Sequence, residues 1–192
     1  NDVLAANMQH AGALRIDHAM GLARLFVIPY GADASEGTYL SYPMKDLLAQ
    51  VSLQSTRAHC IVIGEDLGTV PMGFRETMDA TDILSYRVLC FERRGDGFIP
   101  AGDYPAKSVA CVSTHDLPTL TGWLQGEDIA ERQSLELFTE DEARHTREQR
   151  LALKRQFLGL LGLPEDAEPS AVIVAAHDFL RQTPSLIAML QI

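Results

Sequence analysis

Three short apolar runs in this sequence end on carboxylates. "GALRID" (Gly12 to Asp17) finishes on Asp17 beside His18, "CIVIGED" (Cys60 to Asp66) on Glu65 and Asp66, and "SVACVSTHD" (Ser108 to Asp116) on Asp116 beside His115. In parallel α/β folds ligands meet the carboxyl ends of the strands, and barrel enzymes draw catalytic groups from several strand ends, so three such acids can serve one mouth. Arg15 and Asp17 are two residues apart and share a face of an extended run. The arginine cation beside it keeps Asp17 a carboxylate. Burial and the like charge of Asp66 both favour the protonated form of Glu65. One ionised and one protonated acid is the pairing a retaining glycosidase uses, as nucleophile and general acid/base. Asp116 suits binding of sugar hydroxyls or stabilisation of an oxocarbenium-like charge.

The elements that must position these acids follow from periodicity. The runs "GALRID", "CIVIGED", "ILSYRVLCF" (Ile83 to Phe91) and "SVACVSTHD" are rich in Val, Ile, Leu or Cys and of strand length. Between the first two, Met44, Leu47, Leu48, Val51 and Leu53 recur at helical spacing. Strands alternating with helices imply parallel pairing through crossovers, hence an α/β architecture. "GADASEGTYL" (Gly31 to Leu40) reads as a loop, and Phe91 to Ser108 as an irregular connection rich in glycine and proline. From Glu127 onward the sequence turns to charged amphipathic stretches. These read as helices stopped at Gly162 and Pro164 and again near Thr183 and Pro184. The expected division is residues 1–126 as an α/β part carrying the acids and residues 127–192 as a helical part.

Composition narrows the partners. The chain has 192 residues, 46% hydrophobic and 22% charged, as expected of a globular protein with a real core. A net charge of -10 without a basic cluster argues against nucleic acid. Cys60, Cys90 and Cys111 form no CxxC pair, which speaks against a disulfide framework or thiolate metal site and for a reducing, cytoplasmic setting. No apolar run reaches the roughly 18 residues of a membrane span, so no membrane partner is expected. The sequence opens without methionine, as if inside a helix, and stops within the apolar "SLIAMLQI", so it is expected to be a segment of a longer protein.

Taken together, "RIDHAMGL" (Arg15 to Leu22), "GEDLGTVP" (Gly64 to Pro71) and "STHDLPTLTGW" (Ser113 to Trp123) closely resemble the amylomaltases, the 4-alpha-glucanotransferases of glycoside hydrolase family 77. Order and approximate spacing agree, and the resemblance runs through "IPYGADASEGTYLSYP" and "YRVLCFE". It implies a partial (β/α)8 barrel, approximately strands four to seven. Asp17 then corresponds to the nucleophile, Glu65 to the general acid/base and Asp116 to the transition-state stabiliser, with Arg15, His18 and His115 binding substrate. The implied partners are an α-1,4-glucan donor and a sugar acceptor, with no cofactor and no metal. An incomplete barrel exposes strand edges, so the segment alone is expected to be inactive or nearly so and to self-associate.

Other readings of the same residues stand beside this one. "DH", "GED" and "HD" at strand ends offer ligands for a metal-dependent hydrolase, although no HxH or HExxH spacing occurs. A non-catalytic sugar-binding module is a third reading, with only 7% aromatic residues and the single Trp123 to stack on sugars. "THDLPT" also reads as an N-cap aspartate with a proline just inside the next helix. His59, His145 and His177 read as surface or structural residues, and the charges from Glu131 to Arg155 as a solvated helix face.

Overall fold

The structure is a computed structural model that describes residues 2–191. In chain order the elements are α1 (Asp2–Met8), β1 (Ala13–Ile16), β2 (Arg24–Val27), β3 (Thr38–Ser41), α2 (Met44–Ala58), β4 (Ile61–Gly64), α3 (Phe74–Ala80) and β5 (Leu84–Val88). They continue with β6 (Arg93–Arg94), β7 (Gly97–Phe98), β8 (Ser108–Cys111), α4 (Leu120–Gln125), α5 (Glu127–Ser134), α6 (Glu140–Leu160), α7 (Pro169–Arg181) and β9 (Ile187–Met189). This is an α/β fold. Two compact units divide it: residues up to Tyr86 together with Lys107–Val109, and Arg87–Ala106 together with Ala110 onward.

In the first unit the strand order is β1, β4, β5 and the start of β8. Both β1 with β4 and β4 with β5 pair in parallel. The crossover between β1 and β4 contains α2, whose apolar stripe works as the spacing predicts: Leu48 and Val51 are buried. Its last turn closes at His59, which adopts a left-handed conformation (φ 51°) and donates its N–H back to the carbonyls of Ser55 and Thr56. These side chains pack with Met8, Met20, Val62, Phe74 and Met78 in one apolar cluster. Where a plain loop was expected over 31–40, β3 pairs antiparallel with β2. All four β3 residues are exposed, so the strand carries no alternation of buried and solvated positions by which to read it.

In the second unit the ends of β5 and β8 are followed in the sheet by β9. The helices stop before Pro184, as read from the sequence, and the apolar segment beyond it holds β9; Leu186 donates its N–H to the carbonyl of Ala106 at 2.9 Å. The irregular connection over 91–108 contains the two-residue hairpin of β6 and β7. α6 starts on a capping box in which Thr139 and Glu142 satisfy each other's backbone N–H groups. It stops at Leu160, before Gly162 (φ 68°) and Pro164. Phe157 from α6 forms edge-on contacts with Phe98 and Trp123, with centroids 5.5 and 5.6 Å apart, at the centre of the second apolar cluster. Among the described residues no helix is long and apolar enough to cross a membrane.

Candidate active site

Strand register brings the first two acids together. Ile16 of β1 lies opposite Gly64 of β4, the last pair of a parallel ladder, so the next residues, Asp17 and Glu65, leave neighbouring strands at the same end. Two further bonds lock the exit, from Glu65 N–H to the Ile16 carbonyl and from Ala19 N–H to the Glu65 carbonyl, each 2.9 Å. Gly64 is approached closely by neighbouring side chains, so a larger residue there would have to displace them. A Cβ there would lie 2.7 Å from the Met78 Cε and 3.2 Å from the Ala19 Cβ.

Asp17 points into solvent with its side chain 74% exposed, and Arg15 from the same strand face reaches it at 2.7 Å. The guanidinium also lies over the Tyr86 ring, 5.3 Å from its centroid, which fixes the cation between an aromatic face and the carboxylate. The expected Arg15–Asp17 neighbourhood is thus present.

Glu65 is buried, at 9% exposure, and each of its carboxylate oxygens is held by a backbone donor. His18 donates its N–H to Oε2 at 2.9 Å, and Leu67 donates its N–H to Oε1 at 2.6 Å. His18 sits in a left-handed conformation (φ 43°, ψ 55°), turning the chain from β1 into a short 3-10 helix over Ala19–Leu22. A non-glycine residue there costs of order 1 kcal/mol and persists only where its surroundings determine it. The hydrogen bond to Glu65 is one such determinant.

The proposed influence of Asp66 on Glu65 needs correction. Asp66 does not stand as a bare like charge beside its neighbour. It is fully buried, accepts a 2.6 Å ion-pair hydrogen bond from Arg75 Nε, and accepts another at 2.7 Å from the backbone N–H of Tyr86. Arg75 Nη2 also donates to the Asp66 carbonyl at 2.9 Å. With its charge compensated, Asp66 ties the end of β4 to α3 and β5. A buried acid next to an apolar strand demands such a cation, and Arg75, nine residues on, is the signal that identifies it.

His115 and Asp116 lie in the second unit. Their side chains are 3.4 Å apart at the closest nitrogen–oxygen contact and are 72% and 74% exposed. Asp116 does not cap the following helix. Thr119 does so, its hydroxyl accepting the N–H of Gly122 at 3.1 Å, while the Asp116 N–H bonds to the Thr114 hydroxyl at 3.3 Å. The structure therefore groups Arg15, Asp17, His18 and Glu65 in one unit and His115 with Asp116 in the other. Among the described residues no group of three or more His, Cys, Asp or Glu side chains forms a metal-ligand set.

A sequence profile described as 4-alpha-glucanotransferase matches residues 1–192. The chain is 39% identical to a 4-alpha-glucanotransferase of Haemophilus influenzae over 185 residues, covering 94% of this chain and 26% of that protein. It is 36% identical to one of Mycobacterium bovis, covering 95% of this chain and 27% of the relative. The chain thus spans about a quarter of the length of these relatives. Among solved structures it is similar to amylomaltase from Corynebacterium glutamicum, with a TM-score of 0.85 and 29% identity over 97% of this chain and 29% of that one. Amylomaltase from Streptococcus agalactiae shares the fold, with a TM-score of 0.69 and 17% identity over 97% of this chain and 34% of that one.

Proposed function

The chain belongs to the 4-alpha-glucanotransferase family, glycoside hydrolase family 77, and from that membership we propose that it carries the reacting groups of an enzyme that moves glucosyl units between α-1,4-glucans. Asp17 attacks the anomeric carbon of the donor. Glu65 gives its proton to the departing glycosidic oxygen, leaving a glucosyl ester on Asp17. The 4-hydroxyl of an acceptor glucan then attacks the same carbon. Glu65 takes its proton, the ester bond breaks, and two inversions give net retention. Asp116 stabilises the positive charge on the sugar ring, while Arg15, His18 and His115 bind or orient substrate.

The observation that carries this reading is the β1–β4 register, which sends Asp17 and Glu65 out of adjacent parallel strands in contrasting surroundings. Asp17 is exposed and paired with a cation, as suits an ionised nucleophile; Glu65 is buried. His18 contributes through its main chain as well as its imidazole, because its N–H holds one oxygen of the acid/base. The strands β1, β4, β5 and β8 are those of a partial (β/α)8 barrel, approximately its fourth to seventh, with residues 1–126 as the catalytic part and 127–192 as the helical part. A barrel active site draws on more βα loops than a quarter-length segment supplies. The 192-residue chain alone is accordingly proposed to transfer little or no glucan and to self-associate through strand edges. The thiols of Cys60, Cys90 and Cys111 suit a reducing cytoplasm.

The test is to trap the covalent intermediate. A chain of the family's full length carrying this segment is incubated with a fluorinated maltosyl donor that forms the glycosyl ester but resists its turnover, and is then digested and weighed by mass spectrometry. The expected adduct lies on the peptide containing Asp17 and is absent in Asp17→Asn. A sugar adduct on another acid, or release of product with inverted anomeric configuration, sinks the assignment.

A further inference from the structure

The geometry points to His177 and Gln191 as positioning residues for the loop that carries His115 and Asp116. This rests on the reading above, in which Asp116 serves the reaction. The side chains of His115 and Asp116 are largely exposed, so packing does not hold them, and their placement depends on the backbone beneath. A reacting constellation has to be held within about 0.5 Å of its productive geometry.

The loop's own bonds are local. Asp116 N–H reaches the Thr114 hydroxyl, Leu117 N–H reaches the Thr114 carbonyl at 3.3 Å, and the Ser113 hydroxyl donates to the Pro118 carbonyl at 3.1 Å. Bonds over two to five residues shape a turn; they do not fix where it sits. A longer-range tie comes from Gln191, whose Nε2 donates to the Ser113 carbonyl at 2.9 Å across 78 residues of sequence.

Gln191 is itself seated by His177. Its backbone N–H lies 3.2 Å from His177 Nε2, and His177 Nδ1 lies 2.8 Å from the carbonyl of Ile173, one turn back on α7. A carbonyl only accepts, so Nδ1 carries the hydrogen. Nε2 then presents a lone pair, which is what the Gln191 N–H requires. One neutral tautomer satisfies both bonds. The series Ile173 carbonyl, His177 ring, Gln191 and Ser113 carbonyl thus transmits the placement of α7, a helix of 13 residues, to the base of the Asp116 loop. His177, Gln191, Thr114 and His115 also line a common cavity of about 390 Å³, so movement of the tie changes the wall on which His115 stands.

The experiment measures hydrogen exchange and glucan transfer on the same family-length chain, as parent, Gln191→Ala, His177→Leu and His177→Gln. Faster exchange is expected in peptides covering 113–117 for Gln191→Ala and His177→Leu. In these two variants kcat is expected to fall about 10- to 100-fold, the scale of a catalytic group displaced by about 1 Å, with KM nearly constant. His177→Gln, whose amide oxygen can accept the Gln191 N–H, is expected to restore most of both properties. A space-filling histidine would be replaced better by leucine than by glutamine. Unchanged exchange in the loop, or looser exchange with unaltered kcat, overturns the positioning role. If the parent chain transfers no glucan, the functional reading fails by itself, and the exchange data alone then decide whether the tie exists.

Discussion

A glutamate-to-glutamine exchange is the usual way to test a proposed acid/base while keeping its shape, yet at Glu65 it should not be structurally silent. Both oxygens of Glu65 accept backbone N–H groups, from His18 at 2.9 Å and from Leu67 at 2.6 Å. Glutamine has one oxygen and one NH2, so in either orientation an NH2 faces a backbone donor. One hydrogen bond is lost and a buried backbone N–H is left without an acceptor, at about 1–3 kcal/mol. With the site buried at 9% exposure, water does little to repair the loss. A net cost of about 1–3 kcal/mol follows, which for a protein of this size lowers Tm by roughly 2–12 °C. Scanning calorimetry of parent and variant at neutral pH measures it. A shift within about 1 °C would refute the two-donor cradle, since a loss of that size cannot be hidden in so small a change. If the shift is found, activity of Glu65→Gln has to be assayed well below its melting range before a loss of turnover is credited to chemistry.

Three other perturbations follow from the same geometry. Arg75→Met removes one cation that bonds the fully buried Asp66, whose bond from the Tyr86 N–H remains; because Arg75 is 44% exposed, the cost is set at about 2 kcal/mol, below the usual range for a broken buried pair. Amide exchange in β4 should rise correspondingly, and an unchanged rate there would count against the anchor. In the second unit, Arg150 grips Asp128 through two bonds of 2.9 and 2.8 Å, and this holds the Asp128 carboxyl below its ordinary value of 3.8. A depressed carboxyl gives its full stabilisation above that ordinary value and loses it as pH falls through the lower folded one. Arg150→Met should therefore cost about 3 kcal/mol at neutral pH and flatten acid unfolding below about pH 4, followed by Trp123 fluorescence; an acid slope equal to the parent's would contradict this. Finally, burial pushes the Cys90 thiol up to about 12, and Cys60 and Cys111 are buried, so a thiol reagent should label the folded chain slowly and all three positions rapidly once it is unfolded. A single fast-reacting thiol under native conditions would be inconsistent with these surroundings.

Sequence made the placement of the first two acids readable because both follow uninterrupted apolar runs whose alternation sets strand direction and side-chain face. Arg15 and Asp17 could be paired from a two-residue spacing alone. What stayed hidden was supplied by the main chain or by distant residues. The donors on Glu65 are backbone groups of His18 and Leu67, which no side-chain pattern announces. Asp66 looked like a repelling neighbour because its partner Arg75 is brought round only by the turn into α3. The exposed β3 and short β9 lacked the periodicity that reveals longer, half-buried strands. Thr119 took the capping role suggested for Asp116, leaving that carboxylate uncommitted to its helix.

The left-handed turn at His18 has a consequence for how this position can drift. The amide that grips Glu65 belongs to the backbone, so replacing the imidazole does not delete it; what a replacement must do is tolerate φ 43°. Two independent filters act on one residue. Glycine, asparagine or aspartate satisfies the torsional filter at little cost, whereas valine or isoleucine fails it whatever its chemistry. Variants that pass the torsional filter without an imidazole would separate the histidine ring's contribution from that of its main chain.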